Sequence, residues 1–283
     1  MSPKSQPPEN LEQLIGGSVT IPPQPKILVE IHTLAQEEQP KLNKIAQLVS
    51  QDLGLSSMIF KVINSPFYGL TKEISSVSQA IAVLGLTPLF TIIKCIALRR
   101  GIGGSTLAYD RFWDRSNDLA QLCSIIANKQ RSVNRIAPDQ AYMLGLFSEC
   151  GVAILMQRFP DYCKILNDKK QHAWPDLREE DQKFNTSHAV VGYLLAKNWR
   201  LPEPICQAIR YANDIIPHHD PETITLVAML QMAMHIASLI SGHPDTEWPR
   251  ARDMVMQELC ITPDSLREYE EEIVDLFREG PRP

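Results

Sequence analysis

The sequence has no closely spaced cysteine pair, no surplus of basic charge, no uninterrupted apolar run of bilayer length and hardly any strand-type alternation. Each shortage excludes a class of protein. The six cysteines, Cys95, Cys123, Cys150, Cys163, Cys206 and Cys260, form no CxxC unit, which argues against zinc ribbons and dithiol redox motifs. Most stand among apolar neighbours and read as buried, reduced thiols of a cytosolic protein. With 28 Lys and Arg against 33 Asp and Glu, the net charge of −5 argues against a general nucleic-acid binder, because non-specific affinity comes from basic side chains on phosphates. The most apolar stretch, Ile224 to Ile240, is broken by Gln231 and His235 and falls short of the ~20 residues a spanning helix needs. It reads as a core helix. Residues 1–20 contain no apolar signal core and read as a flexible lead-in. A cytoplasmic protein without membrane attachment is expected.

What is present is helical spacing. Leu42, Ile45, Ala46, Val49 and Leu53 follow one helical stripe, and Leu55, Ile59, Val62 and Ile63 follow another. The periodicity predicts an all-α fold with helices over 24–38, 41–52, 55–64, 76–84, 87–99, 107–130, 138–157, 186–199, 203–213, 222–241, 249–260 and 263–279. Capping chemistry marks several starts: Ser76 with Gln79 is a capping-box pattern, and Thr87-Pro88 and Thr262-Pro263 place a hydroxyl before a proline. Asn64 can take the left-handed conformation and Pro66 cannot continue a helix, so a helix stop is expected at Asn64-Ser65-Pro66. Glycines 101, 103 and 104 suggest a seam between an N-terminal helical layer and a longer bundle.

Two stretches carry a family pattern. SQDLGLSSMIFKVINSPFYGL (50–70) is followed by ISSVSQAIAVLGL (74–86), with Gln51, Asp52, Leu55, Asn64, Ser65, Phe67 or Tyr68, then Ser76, Ala80, Ile81, Leu84 and Gly85 at the spaced positions. Phe112-Trp113, Ser116, Gly145-Leu146, Gly151, His188-Ala189, Gly192, Trp199, Leu201, Pro202 and Ile205 continue it in order. In this the chain resembles the HDOD family, the HD-related output domains. The likeness implies an HD-domain-like helical bundle with an N-terminal helical layer, over about 21–217, with C-terminal helices over 218–283 packed on the same body. It also implies descent from HD-type metal-dependent phosphohydrolases and use in bacterial signal transduction.

Such hydrolases hold metal through several imidazoles and carboxylates, which acidify a bound water. The resemblance sets each ligand position against a residue here. The His of the W-x-H-S stretch is Arg115, which cannot ligate. The adjacent His-Asp pair is Ser148-Glu149, the next ligand is His188, the following His pair is Ala212-Asn213, and the last Asp falls near Met234. One imidazole and one displaced carboxylate are too few for a dinuclear centre, so no catalysis, metal or cofactor is expected. The string His218-His219-Asp220-Pro221 could be relocated ligands, which keeps a metal phosphohydrolase as the alternative.

For His188 a cap at Thr186 or Asn185 is expected, with a neutral ring near the positive helix end, accepting from Arg115 or Ser148. Such a pocket could take a small anion through Arg115. The pair of helices over 41–64 offers only Lys61 as a cation on its second member, so packing is favoured over DNA reading. Met229, Met232 and Met234 read as core, and Glu268, Glu270, Glu271 and Glu272 as a solvated face. Phe67 and Tyr68, side by side in a loop, are the candidate contacts for a signalling or regulatory partner protein. No receiver, kinase or cyclase module fits in the remaining residues, so a sensor elsewhere, or this pocket, is expected to supply the signal.

Overall fold

The computed structural model describes residues 19–37, 39–64, 70, 72–102, 106–159, 161–162, 177–214, 220–242 and 245–279 and, within 177–184, the side chains of Glu180 and residues 182–184. Among them every regular element is a helix. The N-terminal layer holds α1 (Lys26–Ala35), α2 (Leu42–Gln51), α3 (Leu53–Ile63), α4 (Val77–Leu84) and α5 (Leu86–Gly101). The bundle follows: α6 (Leu107–Lys129), α7 (Pro138–Ser148), α8 (Cys150–Arg158), α9 (Leu177–Phe184), α10 (His188–Asn198), α11 (Glu203–Arg210), α12 (Pro221–Ser241), α13 (Trp248–Glu258) and α14 (Leu266–Glu279).

The apolar stripes become one continuous core. Ile45, Val49, Ile59 and Ile63 are fully buried beside Leu28 and Ile31 of α1. α3 points Leu55, Ser56, Ile59 and Ile63 inward, so it is a packing helix. α5 joins the layers: it packs on α3 and α4 on one side and on α7 on the other. The N-terminal strap is tied to the end of α10, where Trp199 Nε1 donates to Pro22 O and Gln24 Nε2 donates to Trp199 O, each at 3.1 Å.

Several boundaries depart from the sequence expectation for stated reasons. Asn64 is not left-handed (φ −83°, ψ 3°). It ends α3 by side-chain bonding, its Nδ2 donating to Ile74 O at 2.8 Å and its Oδ1 accepting from Ile74 N at 2.7 Å. Ser76 caps α4, accepting from Gln79 N at 3.1 Å, while the Gln79 side chain accepts from Ser75 N, one residue earlier than a capping box requires. Gly85, at φ 86° and ψ 173°, turns the chain straight into α5 at Leu86, so Thr87 is already helical. Thr262 and Ser265 do bond reciprocally, backbone N–H to hydroxyl in both directions, but they close a turn before α14 begins. The single helix expected over 138–157 is two, broken at Glu149 (φ −110°, ψ 16°).

α12 is 21 residues long and apolar enough to cross a bilayer by length and composition, which corrects the shorter span read from its sequence. It is nevertheless a core helix, with 67% of its most apolar window buried in the fold. Its polar interruptions are tertiary bonds. Gln231 Nε2 donates to Ala212 O and Asp214 O at 3.0 Å. His235 lies 3.1 Å from Glu270 and stacks on Trp248 at 3.9 Å. The acidic face expected on α14 is therefore partly structural: Glu270 meets His235, Glu272 pairs with Lys129, and Glu271 pairs with Arg267 within the helix. Cys95, Cys123, Cys150 and Cys206 are buried as expected, Cys260 is exposed, and Cys163 lies outside the described residues.

Candidate functional site

The positions that the resemblance aligned with metal ligands come from α6, the α7–α8 break and the start of α10. The approach is possible because two glycines let helices meet backbone to backbone. A Cβ on Gly145 would stand 2.5 Å from Leu119 O, and one on Gly151 would stand 2.0 Å from His188 O, both far inside contact distance. α7 is thereby held against α6, and α8 against the first turn of α10.

At the centre, Arg115 Nε donates to both oxygens of Glu149, at 3.0 and 2.9 Å. Glu149 is 1% exposed, so its charge is cut off from water and is met directly by this guanidinium. Burial pushes the Glu149 carboxyl above the usual range, against the pull of Arg115 and His188.

His188 has a different partner from the one expected. Its cap is Ser187, whose hydroxyl accepts from Val190 N, while Ser148 donates to Gly145 O within its own helix at 2.8 Å. The ring faces Glu180 of α9, with Nδ1 at 2.9 and 2.8 Å from the two carboxylate oxygens, and the His188 backbone N–H donates to the same carboxylate at 2.7 Å. Tyr162 donates its hydroxyl to Glu180 as well. Burial alone would lower the His188 pKa, but the charge and hydrogen bond of Glu180, with Glu149 behind them, raise it above its ordinary value. The ring is therefore biased toward imidazolium, opposite to the neutral form expected from the helix end. Burial and Glu180 together push the Tyr162 phenol well up.

Neither α9 nor Glu180 was legible as part of the site. The run Arg178-Glu179-Glu180-Asp181 has the look of a solvated charge cluster. The one available signal was spacing: Glu180 stands between Leu177 and Phe184 at i, i+3, i+7, a core position occupied by a carboxylate.

The arrangement does not fit a dinuclear metal centre. Both Glu149 oxygens carry the arginine, and His188 is the one imidazole among the aligned positions. Ala212 is buried and its carbonyl accepts from Gln231, Asn213 is half-buried in the turn after α11, and Met234 is half-buried in α12. Among the described residues no three His, Cys, Asp or Glu side chains cluster as a cation site. His218 and His219, and Phe67 and Tyr68, lie outside the described residues.

The HDOD domain profile matches residues 21–215. The chain belongs to the HDOD family. Two curated relatives extend the likeness. An uncharacterized protein of Treponema pallidum (strain Nichols) is 24% identical over 233 residues, which is 82% of this chain and 45% of that one. The uncharacterized protein YuxH of Bacillus subtilis (strain 168) is 28% identical over 187 residues, 58% of this chain and 45% of the relative. This HDOD chain thus spans less than half the length of each. Among solved structures, an HDOD domain protein of Geobacter sulfurreducens superposes with a TM-score of 0.65 at 23% identity, covering 95% of this chain and 96% of that one. A candidate phosphohydrolase of Shewanella amazonensis SB2B gives 0.67 at 20% identity, covering 95% and 97%. A candidate signal transduction protein of Marinobacter aquaeolei VT8 gives 0.70 at 21% identity, covering 95% and 59%. These likenesses establish the HDOD helical fold.

Proposed function

We propose that this HDOD chain is a non-catalytic regulatory module of bacterial signal transduction, acting by binding a partner protein or a small ligand. The observation that carries the reading is the guanidinium of Arg115 seated on both oxygens of Glu149. A fixed cation of the protein takes the charge that a divalent ion would need, and repels any ion that approaches. Zinc sites that activate water use three protein ligands with an open position, whereas the aligned positions supply one imidazole and one carboxylate, the carboxylate held by Arg115. A binding role is consistent with a polar network that is buried and mostly paired, because such a network specifies one arrangement of the helices around it. The candidate signal transduction protein of Marinobacter aquaeolei lends the reading its direction.

The test is elemental analysis of protein purified without chelator, with phosphoester hydrolysis measured on the same sample. The expected result is substoichiometric Mn, Fe and Zn and no turnover above background. Two tightly held ions per chain, with hydrolysis abolished by His188→Ala, would instead establish the phosphohydrolase alternative.

A further inference from the structure

Glu180 is placed as a ligand is placed. Three donors from outside its own helix converge on one carboxylate: the His188 backbone N–H at the start of α10, the His188 ring at Nδ1, and the Tyr162 hydroxyl. The carboxylate is 2% exposed. The sequence of α9 is LREEDQKF, Gln182 and Lys183 are exposed, and Phe184 is a half-buried ring against Phe159 at 4.7 Å and Tyr162 at 5.6 Å. A polar two-turn helix is marginal in water without tertiary anchors, and among the described side chains of α9 the anchors are one carboxylate and one ring.

We propose that Glu180 is the internal occupant of an oxyanion site, and that α9 is a lid which a small carboxylate- or phosphate-bearing molecule displaces. This rests on the binding role proposed above and names its ligand chemistry. Without Glu180 the pocket keeps Arg115 and Glu149, which cancel, and His188, which has then lost its counter-charge and offers an N–H beside a helix N-terminus. Two hydroxyls are buried without a hydrogen-bond partner: Ser116 Oγ, next in sequence to Arg115, and Thr186 Oγ1, two residues before His188. A tethered carboxylate presents two oxygens. A phosphate presents more, and so could meet donors that Glu180 leaves unmet. Opening the lid releases Phe184 from Phe159 and Tyr162, which converts ligand binding into a changed surface that a partner can read.

In this scheme the tethered carboxylate competes with the free one, so apparent affinity is reduced by the small fraction of open lid. The experiment titrates inorganic phosphate, and separately acetate, into the full chain and into Glu180→Ala, against sodium chloride at equal ionic strength. Binding is read from the thermal midpoint, and lid position from amide hydrogen exchange across 177–184. We expect at least tenfold tighter binding of one of the two anions by Glu180→Ala, lost again when His188→Ala is added. In the unmodified chain, saturation with that anion should speed exchange across 177–184 while α6 and α7 stay protected. The better of the two anions identifies the ligand class. Equal affinity in the two proteins, binding by neither, or exchange across 177–184 unchanged at saturation overturns the proposal. If Glu180→Ala fails to fold, Glu180→Gln and the exchange measurement on the unmodified chain decide it. Metal content and turnover of the same samples test the regulatory reading separately.

Discussion

The carbonyl oxygen of His188 lies 2.0 Å from where a Cβ on Gly151 would stand, so α8 and α10 touch backbone to backbone beside the buried polar cluster. Gly151→Ala must therefore push the two helices apart, against backbone atoms that cannot rotate away. Overpacking of this kind costs about 3 kcal/mol or more. The expected result is a lower urea midpoint with an unchanged slope, since the surface exposed on unfolding is the same. An unshifted midpoint would show that the contact between α8 and α10 is slack.

Arg115 and Glu149 form a pair with the carboxylate wholly inside and the arginine side chain 25% exposed. Arg115→Met leaves a buried carboxylate without its partner, at a cost of about 3 kcal/mol. The loss should shrink on acidification, because protonated Glu149 needs no counter-charge. Adding Glu149→Leu should recover much of the stability. Urea midpoints of the single and double variants check both points, and a double variant no better than Arg115→Met would refute the pairing argument.

Two groups of the cluster bias stability toward low pH. For His188, burial lowers the pKa and Glu180 more than reverses it, so the folded value is the higher one. The folded state then binds the extra proton. Its contribution is fully present below the unfolded value of about 6.5 and is lost as pH rises through the folded value. Glu149, raised by burial, acts in the same direction, from about 4.5 upward. Denaturant midpoints between pH 6 and 9 should fall in the native chain and fall less in His188→Gln. Parallel curves for the two proteins would remove His188 from the account.

Asn64 satisfies both backbone groups of Ile74, ten residues away. Asn64→Ala strands a partly buried N–H and C=O, and is expected to cost about 2 kcal/mol. Asn64→Asp keeps the acceptor but sets a carboxylate oxygen against Ile74 O in place of the donor, so it is not expected to restore stability. Thermal melts check both variants, and an Asp variant as stable as the native chain would mean that the donated bond contributes nothing.

Thiol reactivity should divide the described cysteines sharply. Burial pushes Cys95 and Cys206 up to about 12, and raises Cys123 and Cys150 further, while Cys260 is exposed. A short pulse of alkylating reagent on the native chain, followed by peptide mapping, should label Cys260 and spare these four. Labelling of Cys123 at a comparable rate would mean that the bundle core opens readily.

The helical class, most of the elements and the central place of α12 were readable in the sequence, because apolar period and capping residues act over one or two turns. The family pattern also brought Arg115, Glu149 and His188 to notice as one group. What escaped were the relations that depend on approach through space. Arg115 meets Glu149 across 34 positions of chain, and Glu180 meets His188 from a helix whose charged composition resembles a solvated surface. The sequence by itself determined which residues can form helices and which residues the resemblance sets against the imidazoles of HD-type hydrolases. Folding decided which carboxylate lies under the arginine, which lies under the histidine, and hence in which direction the ring's pKa is displaced. Those outcomes follow from burial: removing water makes an unpaired charge so costly that the partner supplied by packing sets the protonation state, and local pattern contains no record of that partner.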